Sequence, residues 1–281
     1  MELKDINIRD PFILTYDGTY YMYSKGVDGT QNFCVYKSKD LVEWSLPETV
    51  FLPSENFWAD RDFWAPEVHI YNKKFYMFAS FKANGYCRGT QILVCDTPDG
   101  LFAPITEYPV TPRDWDCLDG TLYVDINNRP HIVFCHEWAQ IGDGTICEME
   151  LSEDLTKAVS EPRVLWRASD YEDVANAFPD KKSYVTDGPF LYRVSKGQLI
   201  CIWSSFNKNG YTELVSVSSN GDIDGNWTVK KTPLFSEQGG HGMIFNTFEG
   251  KTMFVMHAPN GSPFERAVIC ELNLTDVLDM E

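Results

Sequence analysis

No stretch of this sequence approaches the roughly 18 apolar residues of a membrane-spanning helix, and its opening, Met-Glu-Leu-Lys-Asp, has no apolar core for an export signal. Read as a complete chain, it is expected in the cytosol, with no membrane as partner. Cations are scarce. Lys plus Arg number 24 against 41 for Asp plus Glu, and the resulting net charge of -17 repels phosphate backbones, which removes nucleic acid from the candidate partners. No C-x-x-C pair occurs, so the eight cysteines read as reduced, buried thiols rather than zinc ligands or bridges. Helical periodicity is almost missing as well. What the chain does have is 43% hydrophobic residues and only 23% charged ones, enough for a large core and too little charge for disorder.

An internal repeat dominates the rest. Turn-forming stretches at Tyr16 to Thr19, Tyr71 to Lys74, Ile126 to Pro130, Ser195 to Gln198 and Glu249 to Lys251 each precede an alternating, aromatic-rich run, the signal of a hairpin. A strand leads into each turn, beginning at Asp10, Ala65, Asp119, Asp187 and His241, and a third strand follows each hairpin. A spacing of about 54 residues with one longer insertion, Ala168 to Lys182, predicts an all-β, five-bladed β-propeller in a single domain covering 1–281, in preference to two β-sandwiches. In such a wheel the innermost strands line a central channel, and their first residues meet on one face.

Those five openings are Arg9-Asp10-Pro11, Trp64-Ala65-Pro66-Glu67, Leu118-Asp119-Gly120, Thr186-Asp187-Gly188 and Gly240-His241-Gly242. Asp beside Gly or Pro is an ordinary turn formula taken singly. Its recurrence at equivalent places converges Asp10, Glu67, Asp119, Asp187 and one imidazole on one cavity, and clustered acids resist desolvation unless chemistry or a cation offsets the cost.

The Arg9-Asp10-Pro11-Phe12 opening, Phe63-Trp64-Ala65-Pro66-Glu67-Val68, Asp119 with Asp125 behind it, and Gly239-Gly240-His241-Gly242 followed by His257-Ala258-Pro259-Asn260 resemble glycoside hydrolase family 43 over nearly the whole chain. The resemblance implies inverting hydrolysis of arabinofuranosides or xylosides, with Asp10 as general base and Asp119 orienting the acid and tuning its pKa. It also implies a Glu as general acid in the fourth blade, where this sequence has Asp187, one methylene shorter. Glu137, in His136-Glu137-Trp138, is the other candidate acid, with a capped strand end under an aromatic cover as its structural alternative. Inversion requires the two carboxyl groups to stand roughly 6.5–9.5 Å apart so that water fits between them. Trp64, Trp138, Phe33 and Phe206 are candidate stacking faces for a pentose, with Glu67 as a further sugar contact. Arg266 corresponds to the family's fifth-blade arginine, with a surface ion pair to Glu265 as its alternative. His241 stands where the family often places a histidine beside a hydrated calcium ion on the axis; no organic cofactor is implied.

The expected activity is exo-acting release of terminal α-L-arabinofuranosyl units from short arabinoxylan- or arabinan-derived oligosaccharides. A β-D-xylosidase using the same pocket is the nearest alternative. A non-catalytic sugar-binding propeller and a phosphorylase drawing on Arg9, Arg61 and Arg266 are the rivals from other classes. Nothing in the sequence points to an obligate protein partner.

Overall fold

Each of the five repeats folds as an antiparallel sheet, and the sheets stand around one axis in the computed structural model, which describes residues 1–26, 30–194 and 197–281. The chain is an all-β, five-bladed β-propeller. Blade one comprises β1 (Phe12–Tyr16), β2 (Thr19–Lys25), β3 (Phe33–Ser38) and β4 (Glu48–Phe51). Blade two comprises β5 (Arg61–Tyr71), β6 (Lys74–Lys82), β7 (Gly89–Cys95) and β8 (Ala103–Pro104). Blade three holds β9 (Cys117–Val124), β10 (Pro130–His136), β11 (Thr145–Glu150) and β12 (Arg163–Arg167), with helix α1 (Trp138–Ile141) inserted after β10. Blade four holds β13 (Asp187–Val194), β14 (Gln198–Asn207), β15 (Gly210–Ser218) and β16 (Trp227–Val229). Blade five has three strands, β17 (Gly240–Asn246), β18 (Thr252–Ala258) and β19 (Arg266–Glu271), and leads into helix α2 (Leu274–Asp279). Of the predicted turns, the fourth falls partly on Ser195 and Lys196, outside the described residues.

Burial explains why the middle strands do not alternate. Every residue of β10 is buried, because neighbouring blades cover both faces of a blade and each face needs apolar side chains. Between blades one and two the filling is aromatic: Phe81 lies with its ring centroid 4.9 Å from Phe63, 5.6 Å from Phe33 and 5.7 Å from Phe51. Between blades three and four, Trp166 and Trp203 meet at 6.0 Å. The ring closes where the Ile8 N–H donates to the Glu265 carbonyl at 3.2 Å and Asn7 bridges to Arg266. All eight cysteines are free; five are buried, whereas Cys87 and Cys95 are half-buried and Cys270 is exposed, so the expectation of uniformly buried thiols holds for five of the eight.

One backbone device recurs in every blade. At the start of each inner strand a residue takes left-handed φ: Asp10 at 52°, Ala65 at 44°, Asp119 at 54°, Gly188 at 50° and His241 at 50°. For a side-chain-bearing residue this conformation costs on the order of 1–2 kcal/mol, so four such residues at one end of the axis mark a place where the fold imposes strain. Register slips follow directly in blades two, four and five, at Trp64/Glu67, Asp187/Phe190 and Gly240/Met243. Blade four uses glycine at this point because the His241 ring packs on it: a Cβ on Gly188 would stand 2.5 Å from Cδ2 of that ring.

Candidate active site

Aligning the blades on these kinks shows two tiers that the sequence reading ran together. Asp10, Ala65, Asp119, Gly188 and His241 form one ring. The residues just before them, Arg9, Trp64, Leu118, Asp187 and Gly240, form the next, so Asp187 belongs with Arg9 and Trp64 rather than with Asp10 and Asp119. Both tiers line a cavity of about 450 Å3, whose wall includes Arg9, Asp10, Trp64, Asp119, Asp187 and His241. Glu137 and Trp138 join it from just past the end of β10, and Phe178 from the insertion before blade four.

The charges are arranged around one imidazole. His241 Nδ1 lies 3.1 Å from Asp10 Oδ1 and 3.8 Å from Asp119 Oδ2. Burial by itself would lower the pKa of His241, but Asp10 and Asp119 override it and raise the value to about 10, so the ring is a cation. Asp10 is likewise penalised by burial, and the His241 imidazolium with the Arg9 guanidinium, 3.6 Å away, nevertheless holds it well below the usual carboxylate range. His257 Nδ1 accepts the Asp10 backbone N–H at 3.3 Å while its Nε2 faces Asn260 Oδ1 at 3.3 Å, which fixes the tautomer with hydrogen on Nε2. With Nδ1 so occupied, the nearby Oδ1 of Asp10 relies on His241 rather than on His257.

Asp119 and Asp187 are pushed the other way. Burial dominates for Asp119, His241 opposes it, and the negative charges of Asp187 and Asp10 add to the rise, to about 7. Its Oδ2 accepts the Gly188 N–H at 3.1 Å, and its own N–H donates to Ser80 Oγ at 2.8 Å, so the backbone of blade four grips the carboxyl of blade three. Burial also raises Asp187, against the pull of His241, Arg9 and the hydrogen bond that Tyr211 donates to Oδ2 at 3.0 Å. Glu137 is raised by burial too, with Arg88 opposing from 3.3 Å. Arg88 reaches further: Nη1 holds Asp62 at 3.0 Å, and the guanidinium carbon sits 3.8 Å from the centroid of the Trp64 ring. Trp138 and Phe178 pack together at 5.4 Å and wall off one side of the cavity.

Four expected contacts lie elsewhere. Phe33 is fully buried in the aromatic filling between blades one and two and presents no face to a sugar. Glu67 falls two residues past the kink of blade two; strand periodicity keeps it on the channel side but roughly 6.6 Å further along, where it is buried and faces His69 Nε2 at 3.1 Å. Phe206 packs on Tyr211 at 5.1 Å and is not part of the cavity wall. Arg266 donates to the carbonyls of Lys4, Pro263 and Glu265, pinning the ring closure, while the Glu265 carboxylate pairs with Arg9 at 3.6 Å. Arg266 therefore has neither the sugar-contact role nor the surface ion pair.

Lys25, Arg88 and Tyr211 were missed by the sequence reading, and His257 entered it only within the His257-Ala258-Pro259-Asn260 motif. All four sit at the end of a second strand or the start of a third, where antiparallel return brings the chain back to the cavity face. Applied to every blade, the rule that singled out Glu137 finds them.

A calcium ion on the axis would have to be held through water. Among the described residues no group of three or more His, Cys, Asp or Glu side chains is arranged to hold a metal ion, and Nδ1 of His241 is turned toward Asp10 and Asp119. The residues present do not form a ligand set for it, and the imidazolium itself supplies positive charge among the acids.

Carboxyl groups driven to opposite charge states around one cavity at the hub of a propeller describe a glycoside hydrolase. The chain belongs to the Glycosyl hydrolases family 43, whose model matches residues 5–274. It is 24% identical to the extracellular exo-alpha-(1->5)-L-arabinofuranosidase ArbA of Cellvibrio japonicus (strain Ueda107), over 91% of this chain and 80% of that one. Its structure superposes on that of an endo-arabinase from Bacteroides thetaiotaomicron VPI-5482 with a TM-score of 0.92 and 38% identity, covering 97% of this chain and 96% of the other. The same fold at 17% identity and a TM-score of 0.76 occurs in an alpha-L-arabinofuranosidase from Lactobacillus brevis, covering 97% and 94%.

Proposed function

We propose that this glycoside hydrolase inverts configuration at the anomeric carbon and releases terminal α-L-arabinofuranosyl units from arabinan- or arabinoxylan-derived oligosaccharides, with β-D-xylosyl units as the alternative substrate for the same pocket. The observation that carries the reading is the opposed charging of Asp10 and Asp187 on one cavity: one carboxylate held ionised, one carboxyl pushed toward its protonated form. A base and an acid facing one another across a sugar are what single displacement by water requires.

Asp10 accepts a proton from the attacking water, and the imidazolium of His241 keeps its carboxylate charged until that moment. Asp187 donates to the departing glycosidic oxygen, and burial, with the negative charge of Asp10, pushes its pKa up toward that role. Trp64 supplies a ring face at the entrance, and its exposure of 37% agrees with that use. Trp138 and Phe178 close the side beyond the sugar, the feature of a pocket that accepts one terminal unit.

Endo-acting cleavage is the second reading, favoured by the 38% identity to a chain described as an endo-arabinase. Digestion of arabino- and xylo-oligosaccharides followed by NMR separates them: exo action gives free arabinose from the first minutes with the anomer opposite to that of the substrate. A ladder of shorter oligosaccharides, or retention of configuration, would defeat the corresponding part of the proposal.

A further inference from the structure

Beside the catalytic cavity, between blades one and two, lies a second cavity of about 580 Å3. Arg9, Lys25 and Trp64 line both, so the two adjoin, and Trp138 and Phe178 line the first and not the second. A glycan whose terminal sugar occupies the first cavity therefore has its next units in the second.

The charge of this second cavity runs against the molecule. In a chain with net charge -17, three cations, Arg9, Lys25 and Arg61, face the same space. Its acids among the described residues are Asp5 and Asp62, and Asp62 is already held by Arg88 at 3.0 Å. Arg9 is engaged with Asp10 and Glu265. Lys25 has no carboxylate partner among the described residues, and the partner of Arg61 is its exposed chain neighbour Asp60, at 3.4 Å. Lys25 without such a partner and Arg61 with only an exposed one, in the same concave wall as Trp64, match a sugar that carries its own carboxylate: Arg presents a planar fork to the two oxygens, Lys a point charge, and Trp64 a face for the C–H groups of the ring.

We propose that this cavity binds the leaving-group portion of the substrate and recognises a uronic acid there, so that the enzyme selects pentose units borne on an acidic glycan. The inference rests on the hydrolase reading above for its placement but is tested without turnover. Calorimetric titration of the wild-type chain with a uronic acid disaccharide and with its carboxyl-reduced counterpart, neither carrying a pentose, compares the charge alone. The acidic sugar is expected to bind about tenfold more tightly, the preference to shrink as salt rises, and Arg61→Gln or Lys25→Gln each to erase most of it. Equal affinities for the two disaccharides, or no binding of either, would overturn the proposal. So would full displacement of the acidic disaccharide by an equal concentration of inorganic phosphate, which would make this a site for any anion. Hydrolysis of a nitrophenyl arabinofuranoside by the wild type reports separately on the catalytic reading, so failure of one leaves the other standing.

Discussion

The hub of the wheel and the seam between blades one and two are both withdrawn from water, yet they are built on opposite principles. At the seam, Phe33, Phe51, Phe63 and Phe81 fill space with rings that need no partner. At the hub, Asp10, Asp119 and His241, on strained backbone, crowd together with Asp187, and each depends on the others for its charge state. The seam holds the molecule together. The hub spends that stability on three acids and one imidazole, arranged so that one carboxyl is held ionised and the pKa values of the other two are raised.

If the division is right, changes at the hub remove activity and spare the fold, while changes at the seam do the reverse. Asp10→Asn is expected to lower kcat by about 10³-fold or more with an unaltered circular dichroism spectrum; near-normal turnover would remove Asp10 from the mechanism. Asp187→Asn should come next. It is expected to abolish hydrolysis of unactivated oligosaccharides while a nitrophenyl arabinofuranoside, whose leaving group needs little protonation, is cleaved at a rate much closer to wild type. Should Glu137→Gln show that selective pattern instead, the acid is Glu137.

Phe81→Ala at the seam is expected to cost roughly 3–5 kcal/mol of stability, read as a shift in urea midpoint, with kcat per folded molecule unchanged. The hub also carries a signature in pH. The raised pKa of His241 means that its contribution to stability is complete below about 6.5 and fades as pH climbs toward about 10. The lowered pKa of Asp10 means that its contribution is present above the ordinary carboxylate range and is lost as pH falls through its folded value. Asp119 has the opposite sign: raised to about 7, it costs stability above the unfolded carboxyl pKa. Asp119→Asn should accordingly raise Tm at pH 8 and raise it less at pH 5, and a larger gain at pH 5 would contradict the charge assignment. The smallest effect is expected from dialysis against a chelator. Because His241 already provides the positive charge, kcat should hardly move; a loss restored by calcium would place a hydrated ion at that ring.

The repeat of turns and aromatic runs was enough for the number of blades, because a hairpin turn and an alternating strand are local matters of backbone preference and side-chain periodicity. The same locality made Asp10, Asp119, Asp187 and His241 visible, since the first residue of an inner strand can be named without knowing how the strands are placed. Phe33 and Phe206 misled for the converse reason: an aromatic side chain reads alike in sequence whether a sugar or another ring covers it. Glu67 misled because two residues of strand are invisible in a motif and yet move a side chain a full layer down the channel.

What the amino-acid order determined alone was therefore the wheel and the acids at its hub. Only the folded molecule decided which acid is charged, which arginine ties a seam rather than a sugar, and that Lys25 looks into the cavity while Arg88 holds Glu137 beside it. Those outcomes depend on distances between segments far apart in the chain, and burial and Coulomb interaction are properties of such distances, not of neighbouring letters.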